Sequence, residues 1–294
     1  MFPLTTQPAL EYLKADRAIR QPLVLPRRIG FISAEARSGC SRTAGLIAAC
    51  LAHRRQGRIL AVNAAASPEP AQGRRSMIWH AGLQSGTVSD SDLRRVRRNA
   101  TAAEEACAGL VQTPNGLYCH DLTALSDFSP QSWWTNVAPT SRFFDLVLTD
   151  WGHRVETAVE SLIDSSHIIC VATRLDMAAL RRAQRLVHQI QTSTSAPVKL
   201  VISDLDGNAS TGLRMAMGSI EVPRHLFGYE PERRRARLLR GKLPLATRTA
   251  VAHLAADTVS TLAQAEKQAV QGPSAQSSGP ENTTTERTRT GAEA

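Results

Sequence analysis

The chain of 294 residues is 42% hydrophobic and 4% aromatic, enough apolar material for one α/β core with a loose end or two. A formal charge of +9 with a pI near 9.9 favours an anionic partner without choosing among nucleic acid, acidic protein and membrane surface. No apolar run approaches the roughly 20 residues that span a bilayer. No leader is apparent, and the five cysteines lack C-x-x-C spacing, so a cytoplasmic protein, at most peripheral at a membrane, is expected.

Residues 1–26 are punctuated by proline around an amphipathic piece at 9–19 and read as an arm lying on the domain. A short apolar strand at 29–33 then runs into a loop of small residues, 34–41, which opens a helix with apolar positions at Leu46, Ile47, Ala49, Cys50 and Leu51. A second strand follows at 58–63. Strand, loop, helix and strand form one βαβ unit whose right-handed crossover puts the loop at the carboxyl edge of a parallel sheet, where phosphate binds. Against the P-loop pattern G-x-x-x-x-G-K-[ST], Gly39 and Ser41 stand where the last glycine and the Mg²⁺-binding hydroxyl belong. Cys40 occupies the lysine position and Ala36 replaces a glycine, so the phosphate-reaching cation is missing.

Residues 64–75 are rich in Ala, Pro and Gly and read as a loop, and 77–83 as a short element. A helix or helix pair is expected over 89–110, where Arg94, Arg95, Arg97 and Arg98 make a solvated face rather than a nucleic-acid contact. The turn Thr113-Pro-Asn-Gly leads into a strand at 116–120. The near-continuous apolar run FFDLVLTD, 143–150, is expected to be a central strand covered on both faces, ending in Asp150. Helix 157–164, strand 167–173, helix 176–192 and strand 198–203 continue the alternation, with a strand at 220–223 and a closing helix at 243–255. The run RRRARLLRGK, 233–242, is either a solvated helix or a docking face for DNA, anionic lipid or an acidic partner. Beyond Ala269 the chain has no aromatic residue and is crowded with polar residues, Gly and Pro, the composition of a disordered tail, 269–294.

These motifs together resemble the MinD/ParA family of deviant Walker A ATPases. Their loop K-G-G-V-G-K-[ST]-T aligns with residues 35–42, so their signature lysine falls on Glu35, their second lysine on Cys40 and the aspartate of their second strand on Asn63. The run ending in Asp150 looks like their switch II strand, and the stretch from Ala172 to Ala183 is similar to their V-x-V-x-T and L-x-A-L-R-x-A segments. Gly228-Tyr-Glu-Pro resembles a turn of MinD-like proteins found beside type VII secretion genes. The resemblance covers about 29–262. It implies a doubly wound, mainly parallel sheet with helices on both faces, in one domain over 27–268.

It also implies a weak ATP/ADP site, with backbone donors at Gly39, Cys40, Ser41 and Arg42 and with Mg²⁺ at Ser41 and Asp150. A pseudo-ATPase is expected, serving type VII secretion or cargo and chromosome positioning, with a protein partner from that machinery and a homodimer in view. Alternatives are an active ATPase using Arg37 or Arg42 in place of lysine, and a protein held to DNA or an anionic membrane surface only by weak, sequence-blind basic contacts.

Overall fold

The computed structural model describes residues 6–65, 76–83, 93–124, 129–153, 159–207, 209–218, 220–231 and 243–271. The basic run 233–242, most of the loop 64–75, and the tail from 272 onward lie outside the described residues.

The first helix, α1 (Thr6–Ile19), lies in the segment read as an arm and buries Ala15 and Ile19 in the core. Then follow β1 (Arg27–Ser33), α2 (Cys40–Arg54) and β2 (Ile59–Asn63), the expected βαβ unit. On α2 the buried positions Cys40, Ala44, Ile47, Ala48 and Leu51 recur at helical spacing and face the sheet. At Gly45 the backbone of the short helix α3 (Met77–His80) comes so close that a Cβ would meet the Met77 carbonyl at 2.3 Å.

The single helix or pair expected over 89–110 resolves into α4 (Arg94–Arg98) and α5 (Ala103–Ala106). The break has a cause: the Glu105 carboxylate accepts the N–H groups of Thr101 and Ala102 and starts a new helix there. Arg97 corrects the reading of a solvated face, since it is buried and donates to the Ala108 carbonyl at 2.6 Å. The predicted turn at 113–116 joins β3 (Val111–Gln112) to β4 (Tyr118–Asp121) as an antiparallel edge hairpin.

Two helices outside the elements expected above, α6 (Pro130–Asn136) and α7 (Ala138–Ser141), precede β5 (Leu146–His153). The remainder is α8 (Val159–Ile163), β6 (Ile168–Arg174), α9 (Met177–Ser193), β7 (Val198–Ser203), α10 (Thr211–Gly218), β8 (Arg224–Phe227) and α11 (Leu245–Gln271). The last strand therefore begins after Pro223 rather than at Ile220. Proline has no N–H for a ladder, yet its carbonyl can still accept the Leu200 N–H at 2.8 Å. The closing helix runs well past the expected 255.

The strands form one sheet in the order β3-β4-β2-β5-β1-β6-β7-β8, parallel throughout except for the β3–β4 hairpin. Side chains alternate between two cores. Ile29, Phe31, Ile59, Ala61, Leu146, Leu148 and Cys170 face the layer that includes α1, α2, α3 and α11. Ile32, Leu60, Val62, Val147, Val171 and Ile202 face the other layer, which includes α9. This is a doubly wound α/β fold with helices on both faces of a mainly parallel sheet. Among the described residues no helix is long and apolar enough to cross a membrane.

Candidate functional site

At the carboxyl edge, β1 and β5 lose register between Phe31 and Ile32, because Trp151 is an extra residue in β5. Asp150 keeps the parity of Leu146 and Leu148 and so points toward α2, while Trp151 packs into the opposite core. The bulge thus sets a carboxylate toward the loop while the strand continues to His153, paired with Ser33. Asp150 is fully buried, and its Oδ1 accepts the Gly152 N–H at 2.9 Å.

The loop between β1 and α2 is shaped by two left-handed residues, Arg37 with φ 60° and Gly39 with φ 84°. Glycine at 39 also leaves room for β7, since a Cβ there would lie 3.0 Å from the Ser203 hydroxyl. The first intrahelical bond of α2 runs from the Thr43 N–H to the Gly39 carbonyl, 2.9 Å, which leaves the earlier N–H groups without intrahelical partners at the cleft end of the helix; of these, the Cys40 N–H donates to the Ser38 hydroxyl at 3.3 Å. That cleft, about 140 Å³, is walled by the loop together with His80, Gly152 and His153.

The four loop positions singled out in the sequence meet different fates. The Cys40 thiol donates to Asp150 Oδ1 at 3.4 Å. Burial, reinforced by the Asp150 charge, holds its pKa well above the usual thiol value, so the lysine position of a P-loop carries a neutral group. Gly39 is the left-handed residue before α2, and Ser41 sits half-buried on the first turn. Arg42 lines the cleft too, but its guanidinium is paired with Glu230 Oε2 at 2.5 Å. The charge of that guanidinium is thereby balanced inside the protein.

Glu35 does not project into solvent. Its Oε2 meets Arg182 of α9 at 2.5 Å, and its Oε1 accepts the Arg174 N–H at the end of β6, 3.3 Å. Asn63 donates its amide to Asp121 Oδ1 at 2.9 Å, and Asp121 accepts in addition the Thr123 N–H and hydroxyl. Sequence reasoning singled out Glu35 and Asn63 but missed the partners Arg182, Glu230 and Asp121, because each comes from a distant strand or helix. The cleft histidines His80 and His153 were missed for the same reason. The residues present fit a phosphate in part: backbone donors and a Ser41 hydroxyl on the α2 terminus, no side-chain cation at position 40, and a carboxylate behind it.

No protein-family model matches the chain, and no curated protein does. Solved structures do. The cell division ATPase MinD of Pyrococcus furiosus superposes with a TM-score of 0.59 at 15% identity, covering 81% of this chain and 100% of that one. A ParA family ATPase from Chlorobium tepidum gives 0.58 at 15%, over 77% and 96%. The septum site-determining protein MinD from Pyrococcus horikoshii, complexed with Mg-ADP, gives 0.55 at 14%, over 83% and 97%. At such identities the likeness is one of fold: this chain has the P-loop architecture of the MinD and ParA ATPases.

Proposed function

We propose that this protein is a MinD/ParA-like regulatory or scaffolding protein with a degenerate nucleotide site, a pseudo-ATPase that binds ATP or ADP feebly and does not turn it over. The observation that carries this reading is the set of internal partners around the loop. Glu35 is tied to Arg182 and to the Arg174 N–H, Arg42 to Glu230, and Cys40 to Asp150. The charges that would grip a nucleotide in a MinD-like site are thus replaced by groups that tie the loop to its own surroundings. One internal strap reaches the β6–α9 side and another the segment after β8.

Gly39, Ser41 and Arg42 would hold a phosphate through backbone N–H groups, joined by Cys40 once its N–H exchanges the Ser38 hydroxyl for the anion, and Ser41 with Asp150 would hold Mg²⁺, a hard cation suited to oxygen ligands. Held there, a divalent cation would supply positive charge against the phosphates. With no cation at 40, and a carboxylate at 35, developing negative charge goes uncompensated. Loss of one such electrostatic donor lowers a rate by about a hundred- to a thousandfold.

The process served is cargo or chromosome positioning, or type VII secretion, with a protein partner from that machinery. The fold of the MinD and ParA neighbours supports the first, and the Gly228-Tyr-Glu-Pro turn the second. A second reading, an active ATPase that uses an arginine, is favoured by one feature: Arg37 is exposed at the loop tip and lines the cleft. Calorimetric titration with ATP and ADP, with and without Mg²⁺, alongside a phosphate-release assay separates the two. Feeble binding without release is expected, with some turnover gained by Glu35→Lys combined with Cys40→Lys. Release at an ordinary ATPase rate, abolished by Arg37→Ala, would establish the second reading instead.

A further inference from the structure

α1 has two faces of opposite character. Tyr12, Ala15, Ala18 and Ile19 turn inward on the core that includes α2 and α11. Directly opposite, at helical spacing, run Leu10, Leu13, Lys14 and Arg17, with Arg20 just past the last turn. Leu10 and Leu13 are 52% and 63% exposed. The segment that follows exposes Val24 and Leu25 at 85% and 57%, and it is pinned to the end of α11 because Glu266 accepts both of their N–H groups at 2.9 and 3.2 Å. One turn beyond Glu266, Val270 is 85% exposed, beside exposed Lys267. Five of the large apolar side chains exposed by the described residues thus gather in α1, its linker and the end of α11.

The charges in this region are unequal. Glu11 flanks the stripe, Asp16 is bound to Arg54 and Arg20, and Glu266 is bound to Arg27. Lys14, Arg17 and Lys267 remain to face outward. We propose that this region is a docking surface for an anionic lipid bilayer, with the leucine and valine side chains entering the headgroup boundary and the cations meeting lipid phosphates. Three arguments favour a bilayer over the other occupants. Apolar groups interleaved with Lys and Arg along one helix stripe are the pattern of an interfacial helix. A stable protein interface needs roughly 20 to 30 residues a side, far more than this stripe offers. The chain's own residues 272–294, which leave from the end of α11, contain no Leu, Ile, Val, Met or aromatic residue to cover it.

The test is co-sedimentation of the full chain with vesicles of phosphatidylcholine alone and of phosphatidylcholine mixed with phosphatidylglycerol. Binding is expected to the anionic vesicles only, weakening as salt rises, because each surface cation contributes about fivefold in affinity. The double variant Leu10→Asp, Leu13→Asp and the double variant Lys14→Glu, Arg17→Glu should each lose about tenfold or more. All four side chains are exposed, so the fold should survive, which circular dichroism checks. The proposal is overturned if the wild type stays in the supernatant with anionic vesicles, or if both variants bind as well as the wild type. It is equally overturned if sedimentation velocity finds a dimer that the leucine variant dissolves while vesicle binding is absent.

Discussion

Asn63 and Asp121 end two neighbouring parallel strands, and the amide donates into the carboxylate. In the MinD/ParA pattern an aspartate would stand at 63, so Asn63→Asp is an informative change. A buried carboxylate at 63 and the half-buried one of Asp121 would then share one site, which raises the pKa of one of them. The penalty belongs to the ionised pair: it should be absent at low pH, where one carboxyl is protonated and can donate to the other, and present above the raised pKa. Urea denaturation should show a loss of about 1–3 kcal/mol at neutral pH that shrinks as the pH falls below about 5. A loss independent of pH would mean that packing, rather than charge, decides the residue. Glu35→Gln tests the strap in the same way. Hydrogen exchange of the amides at 34–38 should quicken, because a neutral amide gives Arg182 no counter-charge; unchanged exchange would show that backbone geometry alone fixes the loop. At this scale the sequence marks the substituted positions, since Glu35, Cys40 and Asn63 depart from a motif. It hides what satisfies them, because Arg182, Asp150 and Asp121 are brought in by topology.

Among elements, α11 and β7 are joined by a charge inside the sheet. Lys199 is an alternating position of β7 and is buried, with its ammonium 2.6 Å from Asp257 of α11; His225 of β8 reaches the same carboxylate oxygen at 2.8 Å. Burial alone would raise the Asp257 pKa, but the hydrogen bonds from His225 and Lys199 outweigh it and bring it to about 2. Asp257→Asn would leave the Lys199 ammonium buried beside a neutral amide. Removing one partner of a buried pair costs about 3–5 kcal/mol. Since Asp257 is partly open to water, the lower end is expected, measured as a lowered urea midpoint. Combining it with Lys199→Met should recover most of the loss. A single variant as stable as the wild type would show that solvent replaces the carboxylate. The long regular elements were legible because their periodicity is unbroken: β1, α2, β2, β6, α9 and β7 lie where alternation or a helical stripe put them. The short helices α6, α7 and α10 lie in stretches to which the sequence analysis assigns no element, although Leu213, Ala216 and Met217 of α10 pack inward at helical spacing, and β8 was displaced because Pro223 punctuates rather than continues its strand.

Over the whole molecule, several groups titrate far from their usual values, and below neutrality they all pull in one direction. His120 is buried beside Arg97 and Arg94, and its pKa falls to about 3, chiefly through burial. His167 falls to about 4, from burial and then from Arg28 and Arg27. A base whose folded pKa lies below its unfolded value near 6.5 favours folding above 6.5, and that contribution is lost as the pH falls through the gap. Each histidine should therefore remove about 1.4 kcal/mol of stability per pH unit below about 6, until its folded pKa is reached. Asp257 adds its loss only below about 4, between the unfolded carboxyl pKa and its own value near 2. On the alkaline side, burial pushes the Cys119 and Cys170 thiols up to about 12. Both stay neutral in the fold while the unfolded thiols ionise near 8.5, so stability should fall again above about pH 9. The urea midpoint plotted against pH should thus show a plateau from about 6.5 to 8.5 with two falling sides. His120→Gln should flatten the acid side while lowering the plateau, since Gln fills the site without taking a proton. An acid limb of the same slope in that variant would assign the loss to His167 and the carboxylates rather than to His120.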